Sequence, residues 1–135
     1  MTNSQLIDKL AWLHFEDKQL LMTLSKGKDT YYIPGGKREG SESDEEALVR
    51  EVKEELTVDL NKSTIKHYGT FEAQAHGKPI GTIVRMTCYF ADYSGKLQPS
   101  MEIQNIDYYT YAQRDIVGPV DQIIFDDLYE KGLLK

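Results

Sequence analysis

Three carboxylates, Glu51, Glu54 and Glu55, stand at i, i+3 and i+4 in a segment whose apolar residues repeat with helical period, so a helix there sets all three on one face. Like charges so crowded raise the energy of the fold unless something positive joins them. A hard divalent cation does so well: Mg²⁺ takes one or two protein carboxylates and leaves its other positions to water and substrate phosphates, and Mn²⁺ is its natural substitute. The spacing therefore points to metal-assisted phosphate chemistry, the alternative being a solvated acidic helix face. Arg50 lies four residues before Glu54 and eight after Glu42, placing it to orient one of these carboxylates.

The elements that must carry these groups are legible on either side. Pro34 is followed by Gly35 and Gly36, which predicts an extended strand ending in a bend too tight for residues with a Cβ. Ser43 has Glu46 three residues on, the reciprocal pair that caps a helix start, and Asp44 and Glu45 suit the positive end of the helix dipole. The helix thus begins near Ser43, and Ala47, Leu48, Val52 and Leu56 form its buried stripe.

Residues 36–58 as a whole resemble the Nudix signature: Gly36, five residues, Glu42, seven residues, then Arg50, Glu51, Val52, Glu54, Glu55 and Val58. Every charged position matches, and a pattern with so many fixed residues is far more specific than a glycine motif alone. One position departs, since Thr57 stands where the family has glycine. A left-handed exit there costs a β-branched residue roughly 1–2 kcal/mol, so the turn is expected to move to Asp59 or Asn61. The resemblance implies an α/β/α sandwich with a mixed β-sheet and hydrolysis of a nucleoside diphosphate linked to a further group. It implies Glu51, Glu54, Glu55 and the Gly35 carbonyl as metal ligands, with Arg50, Glu42 and Gly36 as orienting groups.

Downstream, residues 101–108 are similar to a family stretch in which a loop carboxylate completes the metal site or acts as base; Glu102 occupies that position, while Gln104, Asn105 and Tyr108 replace the acids and the tryptophan. Glu51 and Glu102 are then the two candidate bases, with Arg50 and Glu54 completing the catalytic set. The run PGGKRE resembles the MutT-like branch, which implies nucleoside triphosphates, oxidised ones included, cleaved to monophosphate and pyrophosphate. Nucleotide-sugar or capped-RNA hydrolysis is the alternative within the chemistry, and a binding module without catalysis the alternative outside it. Such modules usually lack a signature glutamate, and here all are present. Tyr32, Lys37, His76 and Lys78 are the candidate substrate contacts, set against the plainer readings of core packing for the tyrosine and solvation for the others.

At 135 residues, 40% of them hydrophobic, the chain fits one α/β domain spanning 1–135 with a core of ordinary size. The formal charge of −6 argues against general nucleic-acid or anionic-membrane binding. Residues 37–59 hold nine acidic and four basic side chains, a balance of −5, so nearly all the surplus belongs to the candidate site. The single cysteine, Cys88, reads as a small buried hydrophobe in a reducing compartment. Neither a secretory leader nor an apolar run of membrane length is visible, so the expected setting is cytoplasmic and the expected partner a small nucleotide.

Along the chain, residues 6–15 and 19–24 read as a hairpin turned at 16–18, and 31–34 as a short aromatic strand. Residues 63–74 and 82–93 read as a second, long hairpin with its turn at 76–79. A loop over 97–105 precedes a last strand over 106–112. Pro119 and Gly132 frame a final helix burying Val120, Ile123, Ile124 and Leu128.

Overall fold

In a computed structural model, which describes residues 5–135, the run LAWL at residues 10–13 explains the architecture. Four consecutive apolar residues in an extended chain point alternately to opposite faces, so the strand must be covered on both sides. Leu10 and Trp12 face a core with Ala47, Leu48, Val52 and Leu56 of helix α1 (Asp44–Leu56). Ala11 and Leu13 face the other core, with Val120, Ile124, Phe125 and Leu128 of helix α2 (Pro119–Glu130). The result is the expected α/β/α sandwich.

Strand β1 (Gln5–Trp12) is central to a mixed sheet. It runs antiparallel to the short strand β4 (Gly35–Lys37) and parallel to β7 (Thr82–Phe90), which pairs antiparallel with β6 (Lys66–Gln74). A second, antiparallel sheet joins β2 (Phe15–Glu16), β3 (Gln19–Ser25) and β9 (Ile103–Tyr109). Strands β5 (Asp59–Leu60) and β8 (Tyr93–Ser94) form a small pair beside the exit of α1.

The first hairpin is therefore shorter than its sequence suggests. Only Phe15–Glu16 pairs with β3, across a two-residue turn in which Asp17 and Lys18 take φ of 51° and 57°. The rest of the run belongs to the other sheet, because a strand buried on both faces needs neighbours that β3 cannot supply alone. The long hairpin β6–β7 forms as read, except that Lys62–Thr64 is a 3-10 turn and Tyr93 leaves β7 to pair with Leu60. The last strand begins at Ile103, and Tyr111–Ile116 is a 3-10 helix capped by Thr110. On α2, Ile123 is exposed and Asp121 is buried, so the inward stripe is rotated from the expected one.

Helix α1 starts as its sequence requires. The Ser43 side chain accepts from the Glu46 N–H at 3.1 Å and the Glu46 carboxylate accepts from the Ser43 N–H at 3.0 Å, a capping box contributing about 1 kcal/mol. Its exit departs from expectation. Thr57 itself takes the left-handed conformation, φ 68° and ψ 20°, and the turn is not displaced to Asp59 or Asn61. The Thr57 hydroxyl donates to the Gln98 carbonyl at 3.0 Å, an anchor that glycine lacks and that offsets part of the backbone strain.

Candidate active site

The two glycines lie inside β4 rather than in a bend, and close approach is what demands them. Gly35 has φ 146°, and a Cβ there would sit 1.9 Å from the Leu10 carbonyl oxygen. A Cβ on Gly36 would sit 2.4 Å from the Glu51 carboxylate. The strand thus passes directly beneath the acidic face of α1, and the Gly35 N–H donates to Glu55 at 3.0 Å.

Arg50 ties the preceding loop to the same face. It holds Glu42 with two nitrogens, at 2.8 and 2.9 Å, reaches Glu51 at 2.9 Å and donates to the Lys37 carbonyl at 2.9 Å. Glu42 in turn accepts from the Glu39 N–H at 2.8 Å. The Arg50 fork, aided by that N–H, holds the Glu42 carboxyl down to about 2. At the helix start Arg38 pairs with Asp44 and, at 2.7 Å, with Asp8 of β1, fixing the loop to the sheet.

The loop before β9 is laid along the C-terminal end of α1 by its own amides: Gln98 N donates to Leu56 O and Ser100 N to Glu55 O, both at 2.9 Å. Two helix carbonyls that lack intrahelical partners are satisfied in this way, and the loop is brought to the acidic face. As a result Glu51, Glu54, Glu55, Ser100, Met101 and Glu102 line one cavity of about 390 Å³. Burial drives the Glu55 carboxyl up to about 8, against the opposing pull of the Gly35 N–H. Burial also raises Glu51, Arg50 opposing.

Glu55 also lines a second cleft of about 320 Å³, together with Gly35, Gly36, Tyr32, His76 and Lys78. Tyr32 is half-buried, and its hydroxyl is hydrogen-bonded to His76 Nδ1 at 2.9 Å, closing one side of the cleft. Lys37 is exposed and lines neither space. The cleft also contains Lys9 and Lys28, which sequence reasoning passed over. Beyond it lies Asp121, wholly buried, its Oδ1 accepting from the Ile33 N–H at 3.0 Å and its carboxyl pushed up to about 7 by burial. Two of these three had a signal: Lys9 is a charge at an inward strand position, and Asp121 is an acid on the inward stripe of a helix.

The donor set suits a hard divalent cation: four carboxylates on one cavity, two of them raised by desolvation. Among the described residues no three such side chains converge on a common point as they stand, since Glu51 is turned to Arg50 and Glu55 to Gly35.

No helix among the described residues is long and apolar enough to cross a membrane. Comparison with solved structures shows the same fold in the Escherichia coli ORF135 protein, 21% identical with TM-score 0.73, covering 94% of this chain and 91% of that one. The MutT protein of Methanosarcina mazei Go1 is 16% identical with TM-score 0.73, covering 98% and 99%. A UDP-X diphosphatase is 17% identical with TM-score 0.68, covering 98% of this chain and 66% of the other. No curated protein matches the chain in sequence. The sequence model of the NUDIX domain matches residues 10–123, from the strand that carries the apolar run through the signature helix to the start of α2, and the chain belongs to that family.

Proposed function

We propose that the protein hydrolyses a nucleoside diphosphate linked to a further group, with Mg²⁺ as cofactor, and that its leading substrates are nucleoside triphosphates cleaved to monophosphate and pyrophosphate. Membership of the NUDIX family supports hydrolysis of this substrate class. The observation that carries the reading is the position of Glu55, which borders both the four-carboxylate cavity and the lysine-lined cleft. A polyphosphate crossing that border sets its phosphorus atoms against the carboxylates and its nucleoside in the cleft. UDP-X diphosphatase, the name carried by one fold neighbour, falls within this substrate class.

In this reading Glu51, Glu54, Glu55 and the Gly35 carbonyl would hold the cation, which would supply charge neutralisation for the phosphoryl oxygens and a more acidic attacking water. Arg50 and Glu42 position Glu51. Either Glu51 or Glu102 accepts the proton of that water, both lying on the same cavity. Lys28, Lys78 and His76 supply positive or polar contacts along the cleft.

A panel of nucleoside triphosphates, nucleotide sugars and capped RNA incubated with Mg²⁺, followed by product identification, tests this. Release of pyrophosphate together with monophosphate is the expected result. No turnover above a chelator control on any member of the panel would overturn it.

A further inference from the structure

Lys9 breaks the pattern of the sheet face turned toward α2. Its neighbours there on β1 and β7 are Ile7, Ala11, Val84, Met86 and Cys88, all packed into the core on that side. The Lys9 ammonium lies 5.9 Å from the centroid of the Tyr32 ring, whose hydroxyl is tied to His76. An aromatic face at that distance steadies an ammonium without neutralising it. Lys9 forms no ion pair within 4.0 Å and no side-chain hydrogen bond with any described residue. A charge set on an apolar sheet face with no counter-charge raises the energy of the fold. Glu55 and Asp121 line the spaces on either side of it, each beyond ion-pair distance.

Those two spaces differ in what they can admit. Toward Asp121 the chamber measures about 20 Å³, room for a water molecule but not for a phosphate. Toward Glu55 the cleft opens to about 320 Å³, with Gly35 and Gly36 on its wall. An anion that reaches the ammonium therefore arrives from the Glu55 side. The register of β1 with β4 sets Lys9 opposite Lys37 and Ala11 opposite Gly35, so Lys9 belongs to the strand pair that passes beneath the acidic face of α1. Lys28 and Lys78 stand farther out, where they also line an outer hollow with Asp29 and Gly77. Lysine has donors only, and its bond to a phosphate oxygen is charge-assisted at both ends.

We propose that Lys9 is a substrate-binding residue that donates to a non-bridging oxygen of the phosphate attached to the nucleoside, at the border marked by Glu55. This rests on the nucleotide reading given above. The carboxylate cavity takes the phosphates beyond that border, and Lys9 meets the first phosphate from the cleft side. The contact is present in substrate and monophosphate product alike, so its loss appears in KM rather than in kcat.

Calorimetric titration in excess chelator separates this contact from any cation. The probes are adenosine, guanosine, cytidine and uridine, each compared with its 5′-monophosphate. The wild type is expected to bind the best monophosphate at least tenfold more tightly than its nucleoside. Lys9→Met should reduce that ratio below threefold with nucleoside affinity unchanged, and Lys9→Arg, which keeps the charge, should retain most of it. Lys96→Met makes the same charge change at an exposed residue outside these spaces and should leave the ratio as in wild type. With Mg²⁺ and the triphosphate, Lys9→Met should raise KM about tenfold and hold kcat within threefold. Because Lys9→Met removes no ion pair or side-chain hydrogen bond among the described residues, its thermal melt should be no lower than that of the wild type. Equal binding of nucleoside and monophosphate by the wild type, an unchanged ratio in Lys9→Met, a matching loss in Lys96→Met, a fall in kcat at constant KM, or a lowered melt would each overturn the assignment. A Lys9-dependent ratio with no hydrolysis of any triphosphate would uphold the contact and remove the triphosphate reading instead.

Discussion

Arg50 grips both carboxylate oxygens of Glu42, at 2.8 and 2.9 Å, while its third nitrogen reaches Glu51. One side chain thereby fixes the loop that follows β4 and the rotamer of a carboxylate on the acidic face. Lysine keeps the charge but cannot fork. Arg50→Lys is expected to cost about 1–2 kcal/mol of stability, as a charged hydrogen bond would, and to lower kcat about 10–100-fold. Thermal melts and steady-state rates check this; unchanged rates in a folded Arg50→Lys protein would show that Glu51 needs no such support.

How far the sequence reaches is clear at this same place. Fixed spacing placed Arg50, Glu51, Glu54 and Glu55 together because a helix converts sequence distance into geometry without help from the rest of the chain. The cap at Ser43 and the buried stripe of α1 are local in the same sense. What stayed hidden was non-local. Nothing near residue 15 says that the chain changes sheets there, and nothing near Thr57 announces that Gln98 will receive its hydroxyl. Lys9 and Asp121 meet at one cleft only through the packing of α2 against the sheet, although each breaks the apolar pattern of its own element.

The acidic face should require a divalent cation. Glu54 is largely exposed and its contact with Arg50 is long, at 3.4 Å, so Glu54→Gln should leave stability nearly unchanged while lowering kcat at least a hundredfold. Direct Mn²⁺ titration should show weakened binding in Glu51→Gln and Glu54→Gln. Glu102→Gln with lost rate and unaltered Mn²⁺ affinity identifies Glu102 as the base, whereas normal turnover in that variant assigns the role to Glu51. Full activity in excess chelator would exclude the metal reading.

Stability should depend on pH through two buried carboxyls. Glu55 is raised from 4.5 to about 8 and Asp121 from 3.8 to about 7, so in that interval the folded chain holds protons that the unfolded chain has released. Unfolding free energy therefore falls as pH rises from about 4 to about 8. Glu42, lowered from 4.5 to about 2, acts in the opposite sense, its contribution being present above about pH 4 and lost as pH falls toward 2. At 1.36 kcal/mol per pKa unit, Asp121 accounts for at most roughly 4 kcal/mol of the alkaline loss. Urea midpoints at pH 5 and pH 8.5 in chelator should differ, and Asp121→Asn should flatten the difference. A wild-type midpoint that rises with pH would contradict both assignments.

Thr57 occupies a left-handed position at φ 68° and anchors its hydroxyl on Gln98, and the two facts pull against each other. Replacing it by glycine relieves roughly 1–2 kcal/mol of backbone strain. The same change forfeits about 1 kcal/mol of hydrogen bond and adds about 0.5–1 kcal/mol of unfolded-chain freedom. Thr57→Gly should therefore shift stability by no more than about 1 kcal/mol in either direction. The more informative comparison is Thr57→Ala, which keeps the strain and loses the anchor, and it should destabilise by about 1 kcal/mol. Its effect should extend to the loop, because the Gln98 carbonyl helps hold the segment that delivers Glu102 to the cavity. Amide exchange at Gln98 and Ser100, whose N–H groups donate to the helix carbonyls, should quicken in Thr57→Ala relative to wild type. Unchanged exchange and unchanged stability there would show that the hydroxyl carries no part of the helix exit.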